Sequence, residues 1–232
     1  MLEFRGIQKT TLADYPGEVA CTLFMSGCNF RCSYCYNPDL ALSRDTGVTI
    51  TEDEALGFLE ERRSFLDGVC VTGGEPLLQH GLLNFLRKAK ALGYKVKLDT
   101  NGSQPEHLCR IIEEKAVDYI AMDVKTTPER YQQVAGDTVE IEKLEASARL
   151  IKESGVDYEF RTTVYSDLKT EDFDRIGRWL GGGKKYCVQP VKTHVPLLDK
   201  DFAQNHTAAG PDKLKSIARR LADYFEQVEI RS

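Results

Sequence analysis

Cys28-Asn29-Phe30-Arg31-Cys32-Ser33-Tyr34-Cys35 puts three thiols into eight residues, directly after the apolar run 19–25. Thiolates are soft ligands for zinc, copper(I) and iron–sulfur centres, and ligands crowded into one loop lose little chain entropy on reaching a single centre. The stretch therefore reads as a metal loop. A closed zinc site or an ordinary cubane takes four protein ligands, so a set of three points to a [4Fe-4S] cluster with one iron left open to a small molecule. Two other readings compete: buried core cysteines or half of a disulfide pattern, and a zinc site completed by a remote His or Cys. Crowding weighs against the first, since core cysteines have no reason to gather in a loop.

Outward from this loop, short apolar runs alternate with amphipathic segments, the pattern of βα units and a parallel sheet. Residues 4–11 read as extended, and Asp14-Tyr15-Pro16-Gly17 as a tight reversal. Strands are expected over 19–25, 68–72, 94–99, 118–124, 157–165 and 186–189. Helices are expected over 51–63, 81–92, 105–115, 140–154, 170–180 and 211–227, with a trailing strand over 228–230. Thr51-Glu52-Asp53-Glu54 has the form of a capping box, Pro105 opens its helix, and Gly93 and Gly155 are placed to stop theirs. Residues 126–138 read as a loop with a short helical turn. Gly181-Gly182-Gly183-Lys184-Lys185 follows a helix where a phosphate loop precedes one, and reads as a solvated turn. Six strands are too few for a closed eight-fold barrel, so the expected α/β fold is a partial (βα)6 TIM-like barrel, open on one side, with a short extended N-terminal segment.

Composition narrows the class. The 232 residues suit one domain, with an N-terminal extension over 1–17, a barrel core over 18–195, and a C-terminal helix and strand over 196–232. Apolar content of 41% and charged content of 29% are those of an ordinary globular protein. A net charge of -5 and a pI near 5.5 argue against a nucleic-acid partner. No run is long enough to cross a bilayer and residues 1–10 lack a signal-peptide core, so the expected location is cytoplasmic. Seven cysteines, an odd count, do not make a disulfide framework. Cys21, Cys70, Cys109 and Cys187 read as small core residues.

Polar motifs fall at the C-terminal ends of the predicted strands, which this architecture aims at one site. Gly73-Gly74-Glu75-Pro76 offers close backbone approach and free carbonyls. Leu98-Asp99-Thr100-Asn101-Gly102 and Met122-Asp123-Val124-Lys125 end adjacent strands. Asp99 and Asp123, both aimed inward, would repel unless a cation lay between them or one were protonated. Arg161 on the fifth predicted strand demands an anionic partner, either a small-molecule carboxylate or a neighbouring acid. Gln189 ends the sixth and His194 follows it.

The spacing C-x3-C-x2-C, with Tyr34 before the last cysteine, is similar to the signature of the radical S-adenosylmethionine (SAM) superfamily. Asp14-Tyr15-Pro16-Gly17 and Asn37-Pro38-Asp39-Leu40 on its flanks resemble glycyl-radical-enzyme activases, in particular those of anaerobic ribonucleoside-triphosphate reductases. This resemblance implies the same partial barrel and a [4Fe-4S] cluster on Cys28, Cys32 and Cys35. It also implies that Gly73, Gly74 and Glu75 take the SAM amino group, and that Lys125 and Arg161 supply positive partners for SAM. Asp99, Thr100 and Asp123, with the Ala121 carbonyl, would hold a monovalent cation, Na+ or K+, beside the SAM carboxylate. Thr100, Asn101 and Asp123 would line the SAM site, Tyr34 would pack near the adenine, and Gln189 or His194 would meet the ribose or adenine. Phe30, Tyr34 and Tyr36 would keep water and oxygen from the cluster.

The implied chemistry is reductive cleavage of SAM to methionine and a 5′-deoxyadenosyl radical, which takes a hydrogen atom from a glycine of a partner enzyme. The expected partner is a class III ribonucleotide reductase, and the expected reductant a flavodoxin or ferredoxin. No cysteine lies between Cys35 and Cys70, which speaks against an inserted ferredoxin-like cluster. The alternatives are a pyruvate formate-lyase-type activase, a radical SAM enzyme acting on a deazapurine or tRNA-base precursor, and a non-catalytic zinc module.

Overall fold

The computed structural model describes residues 2–45 and 47–231. Strands β1 (Glu3–Phe4), β2 (Gly6–Thr11) and β3 (Ala20–Met25) lead into the cysteine loop, and α1 (Pro38–Ala41), β4 (Ile50–Thr51) and α2 (Glu52–Glu61) lead out of it. Strand and helix then alternate through β5 (Gly68–Gly73), α3 (Leu82–Ala91), β6 (Lys95–Thr100), α4 (Pro105–Glu113) and β7 (Tyr119–Asp123). They continue with α5 (Tyr131–Ala135), α6 (Ile141–Glu153), β8 (Asp157–Val164), α7 (Asp172–Leu180) and β9 (Gly183–Pro190). The last elements are α8 (Phe202–Asn205), α9 (Pro211–Leu221) and β10 (Phe225–Ile230).

One sheet runs in the order β10-β9-β8-β7-β6-β5-β3-β2. Its pairs from β3 to β10 are parallel, and β2 pairs antiparallel with β3. The six strands read from the sequence are thus β3 and β5 to β9, extended by one strand at each edge. Gly73 at the end of β5 and Gln189 at the end of β9 line the same cavity of about 180 Å³. A flat sheet would hold those strands about 19 Å apart, at about 4.8 Å per step. The sheet is therefore curled, and since β2 and β10 do not pair with each other it stays open on one side.

Local chemistry accounts for most of the boundaries. Thr51 and Glu54 close both arms of the capping box that starts α2, Pro105 opens α4, and Gly181 ends α7 in the left-handed region at φ 66°. Only the first two glycines of Gly181-Gly182-Gly183-Lys184-Lys185 form the expected turn; the rest begin β9. Helix α9 stops at Leu221 rather than at 227. Its buried stripe of Leu214, Ile217 and Leu221 leads on to Phe225, which also fits a strand pattern, and parallel pairing with β9 claims it for β10. Cys21, Cys70 and Cys187 are buried as expected, whereas Cys109 is half-buried on α4, its thiol donating to Glu113 at 3.5 Å.

Asp14-Tyr15-Pro16-Gly17 closes the N-terminal end of the sheet. Tyr15 is buried against Ala20 and Tyr119, the first residues of β3 and β7, with ring centroids 5.9 Å apart for the tyrosines. A Cβ at Gly68, which opens β5, would lie 2.9 Å from the Tyr15 ring.

Inside the curl, Glu159 on β8 is fully buried. Arg231 donates to it twice at 2.6 Å, and the Tyr119 hydroxyl once at 2.9 Å. Replacing Arg231 by Met leaves a buried carboxylate without its main counter-charge, with Lys185 3.8 Å away. R231M is expected to lose about 3 kcal/mol of stability in urea unfolding; a change below about 0.5 kcal/mol would show that the pair does not hold β10 to the sheet.

Candidate functional site

The cysteine loop hangs from the end of β3 and is pinned by its backbone on every side. Gly27 N–H donates to Leu40 O at 2.7 Å, Arg31 N–H to Ala135 O at 2.7 Å, and the Leu198 and Asp199 amides reach Cys35 O and Ser33 O at 3.1 and 2.9 Å. Arg31 also donates from its side chain to Cys28 O at 2.6 Å and Phe30 O at 2.8 Å. Cys28, Cys32 and Cys35 are free thiols on one wall of the cavity. Burial pushes the Cys28 and Cys32 thiols up, Cys32 to about 12, so thiolates form there only as a metal binds and displaces protons. Tyr34 packs into a ring stack with Tyr165 and Phe202, at 5.4 and 5.9 Å.

Gly73 and Gly74 bring the turn after β5 against the base of this loop. A Cβ on Gly73 would lie 2.3 Å from Met25 O, and one on Gly74 2.1 Å from Gly27 O. The glycines therefore serve a backbone-to-backbone approach before any ligand is considered. Glu75, fully buried, accepts hydrogen bonds from the Thr100 hydroxyl at 2.7 Å, Asn101 N–H at 2.7 Å and Leu77 N–H at 3.1 Å. Its carboxylate ties the turn to the end of β6 rather than standing free. Burial outweighs these donors and pushes its pKa up to about 7.

Asp99 and Asp123 do face the same interior, and the cation between them is the protein's own. Arg161 donates from Nε to Asp123 at 2.7 Å and from Nη2 to Asp99 at 3.2 Å. Lys97, buried beneath Asp99, pairs with it, and Lys125 pairs with Asp123 at 2.8 Å. At the expected Na+ or K+ position, Arg161 spans the carboxylates of Asp99 and Asp123, and Thr100 turns its hydroxyl to Glu75. These cations hold the Asp99 and Asp123 carboxyls below the usual carboxylate range. Arg161 thus forms the salt bridge to neighbouring acids that was one of its two expected partnerships.

The cavity collects Tyr34, Gly73, Gly74, Glu75, Asp99, Thr100, Asn101, Asp123, Lys125, Arg161 and Gln189, which sequence reasoning had singled out, alongside the three cysteines. His194 is exposed and does not line it. Lys97, Thr163 and Tyr131 were not singled out. A period of two along β6 and β8 places Lys97 on the face of Asp99 and Thr163 on that of Arg161, a signal the sequence did carry. Tyr131, whose hydroxyl takes Lys125 N–H at 3.0 Å while its ring meets Phe30, carries no such signal.

The donor set fits a cluster held by three cysteines. Among the described residues no three His, Cys, Asp or Glu side chains converge closely enough for a single metal ion. The cysteines of a cubane each take a different iron and stand farther apart. The wall also carries both charge signs, which suits a zwitterionic amino acid, and the buried Tyr34 hydroxyl has no partner within the protein.

A model of the radical SAM superfamily matches residues 22–180. The chain is 31% identical over 234 residues to a candidate glycyl-radical enzyme activating enzyme of Methanocaldococcus jannaschii, covering 98% of this chain and 95% of that protein. It is 31% identical over 243 residues to the pyruvate formate-lyase-activating enzyme of Streptococcus mutans, covering 94% and 90%. Against the Clostridium pasteurianum enzyme of that name the match is 33% over 130 residues, about half of each chain. Among solved structures, Streptococcus suis SuiB bound to S-adenosylmethionine shares the fold at a TM-score of 0.66 and 15% identity, over 91% of this chain and 52% of that one. The anSMEcpe protein with bound AdoMet does so at 0.63 and 19%, over 89% and 61%. The chain spans 52% of the first structure's length and 61% of the second's.

Two outcomes test the geometry. G74A should lose iron incorporation on reconstitution while G57A, in open space on α2, keeps it; equal iron content would break the link between turn and loop. Glu75 has its folded pKa raised above its unfolded value, so its contribution to stability is full below about 4.5 and is lost as pH rises to about 7. In the metal-free protein this contribution falls by up to about 1.4 kcal/mol per pH unit across that window. Urea unfolding should show E75Q without it; a variant with an unchanged pH slope would refute the assignment.

Proposed function

The chain belongs to the radical SAM superfamily and, within it, to the glycyl-radical-enzyme activating enzymes, and we propose that it activates a class III ribonucleotide reductase by removing a hydrogen atom from a glycine. One observation supports the assignment of its site: the three cysteines line the same cavity as Asp99, Asp123, Lys125 and Arg161.

In this reading Cys28, Cys32 and Cys35 hold the [4Fe-4S] cluster. The carbonyls of the Gly73–Gly74 turn accept the SAM amino group, and Lys125 and Arg161 offer charge to its carboxylate. Tyr34, Asn101 and Gln189 border the nucleoside. When bound, the cluster and SAM supply the one-electron chemistry, releasing methionine and moving a hydrogen atom from the target Cα to C5′. The chain's own work is orientation and exclusion. Its ion pairs hold Arg161 and Lys125 in place along the cavity, and the ring stack behind Tyr34 keeps water from the loop. The electron comes from a small redox protein such as a flavodoxin or ferredoxin, and the chain works in the cytoplasm.

The flanks of the cysteine loop favour the reductase as target. The likeness to the Streptococcus mutans enzyme over most of both chains supports a second reading, pyruvate formate-lyase. The reconstituted, reduced protein should be mixed with SAM and each candidate in turn, and the EPR spectrum recorded. A glycyl-radical doublet on the reductase is expected, and one on the lyase alone would transfer the assignment. SAM cleavage that needs only a small molecule, with no doublet on either enzyme, would refute activation altogether. C32A should give neither the cluster's absorbance nor the doublet.

A further inference from the structure

We propose that Asn101 sets the electron affinity of the cluster through an N–H···S hydrogen bond to Cys28, in an orientation locked by Ser103. The proposal rests on the reading of Cys28 as a cluster ligand. The Asn101 side-chain amide lies 3.8 Å from Cys28 Sγ, within reach of an N–H donor to sulfur. Which end of the amide points there is fixed by its other partners. Ser103 N–H donates to Asn101 Oδ1 at 2.9 Å, which identifies that atom as the oxygen and leaves Nδ2 for Cys28 and for Asn29 Oδ1 at 3.0 Å. Asn29 completes the clasp by donating to the Ser103 hydroxyl at 2.9 Å. Asn101 is 6% exposed, so water competes little for the amide, and its backbone N–H is held by Glu75.

The three sulfurs are not equivalent. Cys28 also accepts from Phe30 N–H at 3.4 Å, giving it two donors. Each N–H that points at a ligand sulfur stabilises the extra negative charge of the reduced cluster and raises its potential. Asn101 therefore makes the cluster easier to reduce, a positioning and tuning role separate from any contact with SAM.

The test is an EPR-monitored redox titration of the reconstituted protein without SAM. N101A should titrate at a more negative potential than the unaltered protein. S103A, which removes a hydroxyl of the clasp but keeps the Ser103 N–H that orients the amide, should match the unaltered protein. An N101A potential equal to the unaltered one, or an S103A potential lowered as far as that of N101A, overturns the proposal. Should N101A assemble no cluster, the unaltered protein carrying [15N]asparagine decides by pulsed EPR: a hyperfine coupling from the labelled amide supports the bond, and its absence overturns it. An unaltered protein that forms no [4Fe-4S] signal would overturn the reading of Cys28 itself, an outcome distinct from a cluster whose potential ignores Asn101.

Discussion

Two carboxylates on adjacent strands, Asp99 and Asp123, face the same interior, and bringing both into a low-dielectric space would be prohibitive without compensation. Arg161 answers by spanning them, while Lys97 and Lys125 take an outer position on each. The result is a chain of alternating charges across β6, β7 and β8 whose order is fixed by the sheet register. Lys97, Asp99, Asp123 and Arg161 sit on the inward faces of their strands, so a slip of one residue would turn that residue toward the helices. Electrostatics here acts on register as much as on ligand binding.

The cysteine loop depends on a different kind of contact. It has little regular structure of its own, and its position comes from backbone hydrogen bonds to α1, α5 and the segment before α8, together with the close approach of Gly73 and Gly74 at its base. Glu75 and Asn101 relay that placement to the end of β6. The loop is held from several directions at once, which is how an irregular segment can present three thiols in a fixed arrangement.

How much of this could be read from the residues depends on the range of the cause. The capping box at Thr51, the proline at Pro105 and the stop at Gly181 act within a turn of chain, and those boundaries were legible. Phe225 was not, because it satisfies a helical stripe and a strand equally, and a distant partner, β9, decided between them. At the site, the spacing of the cysteines and the strand-end position of Asp99, Asp123 and Arg161 were visible, yet their mutual pairing was not. A sequence shows two acids and an arginine; whether the arginine meets those acids or an incoming carboxylate depends on the curl of the sheet. The hydrogen bond between Thr100 and Glu75 was hidden for the same reason: it joins the end of β6 to the turn after β5, whose proximity no local pattern encodes.

Tyr15, wedged between the first residues of β3 and β7, leaves the curled sheet with a stoppered end. Small molecules must then pass by the strand-end mouth or through the gap that β2 and β10 leave unpaired. A bulky target seated across the mouth would crowd the first route and leave the second.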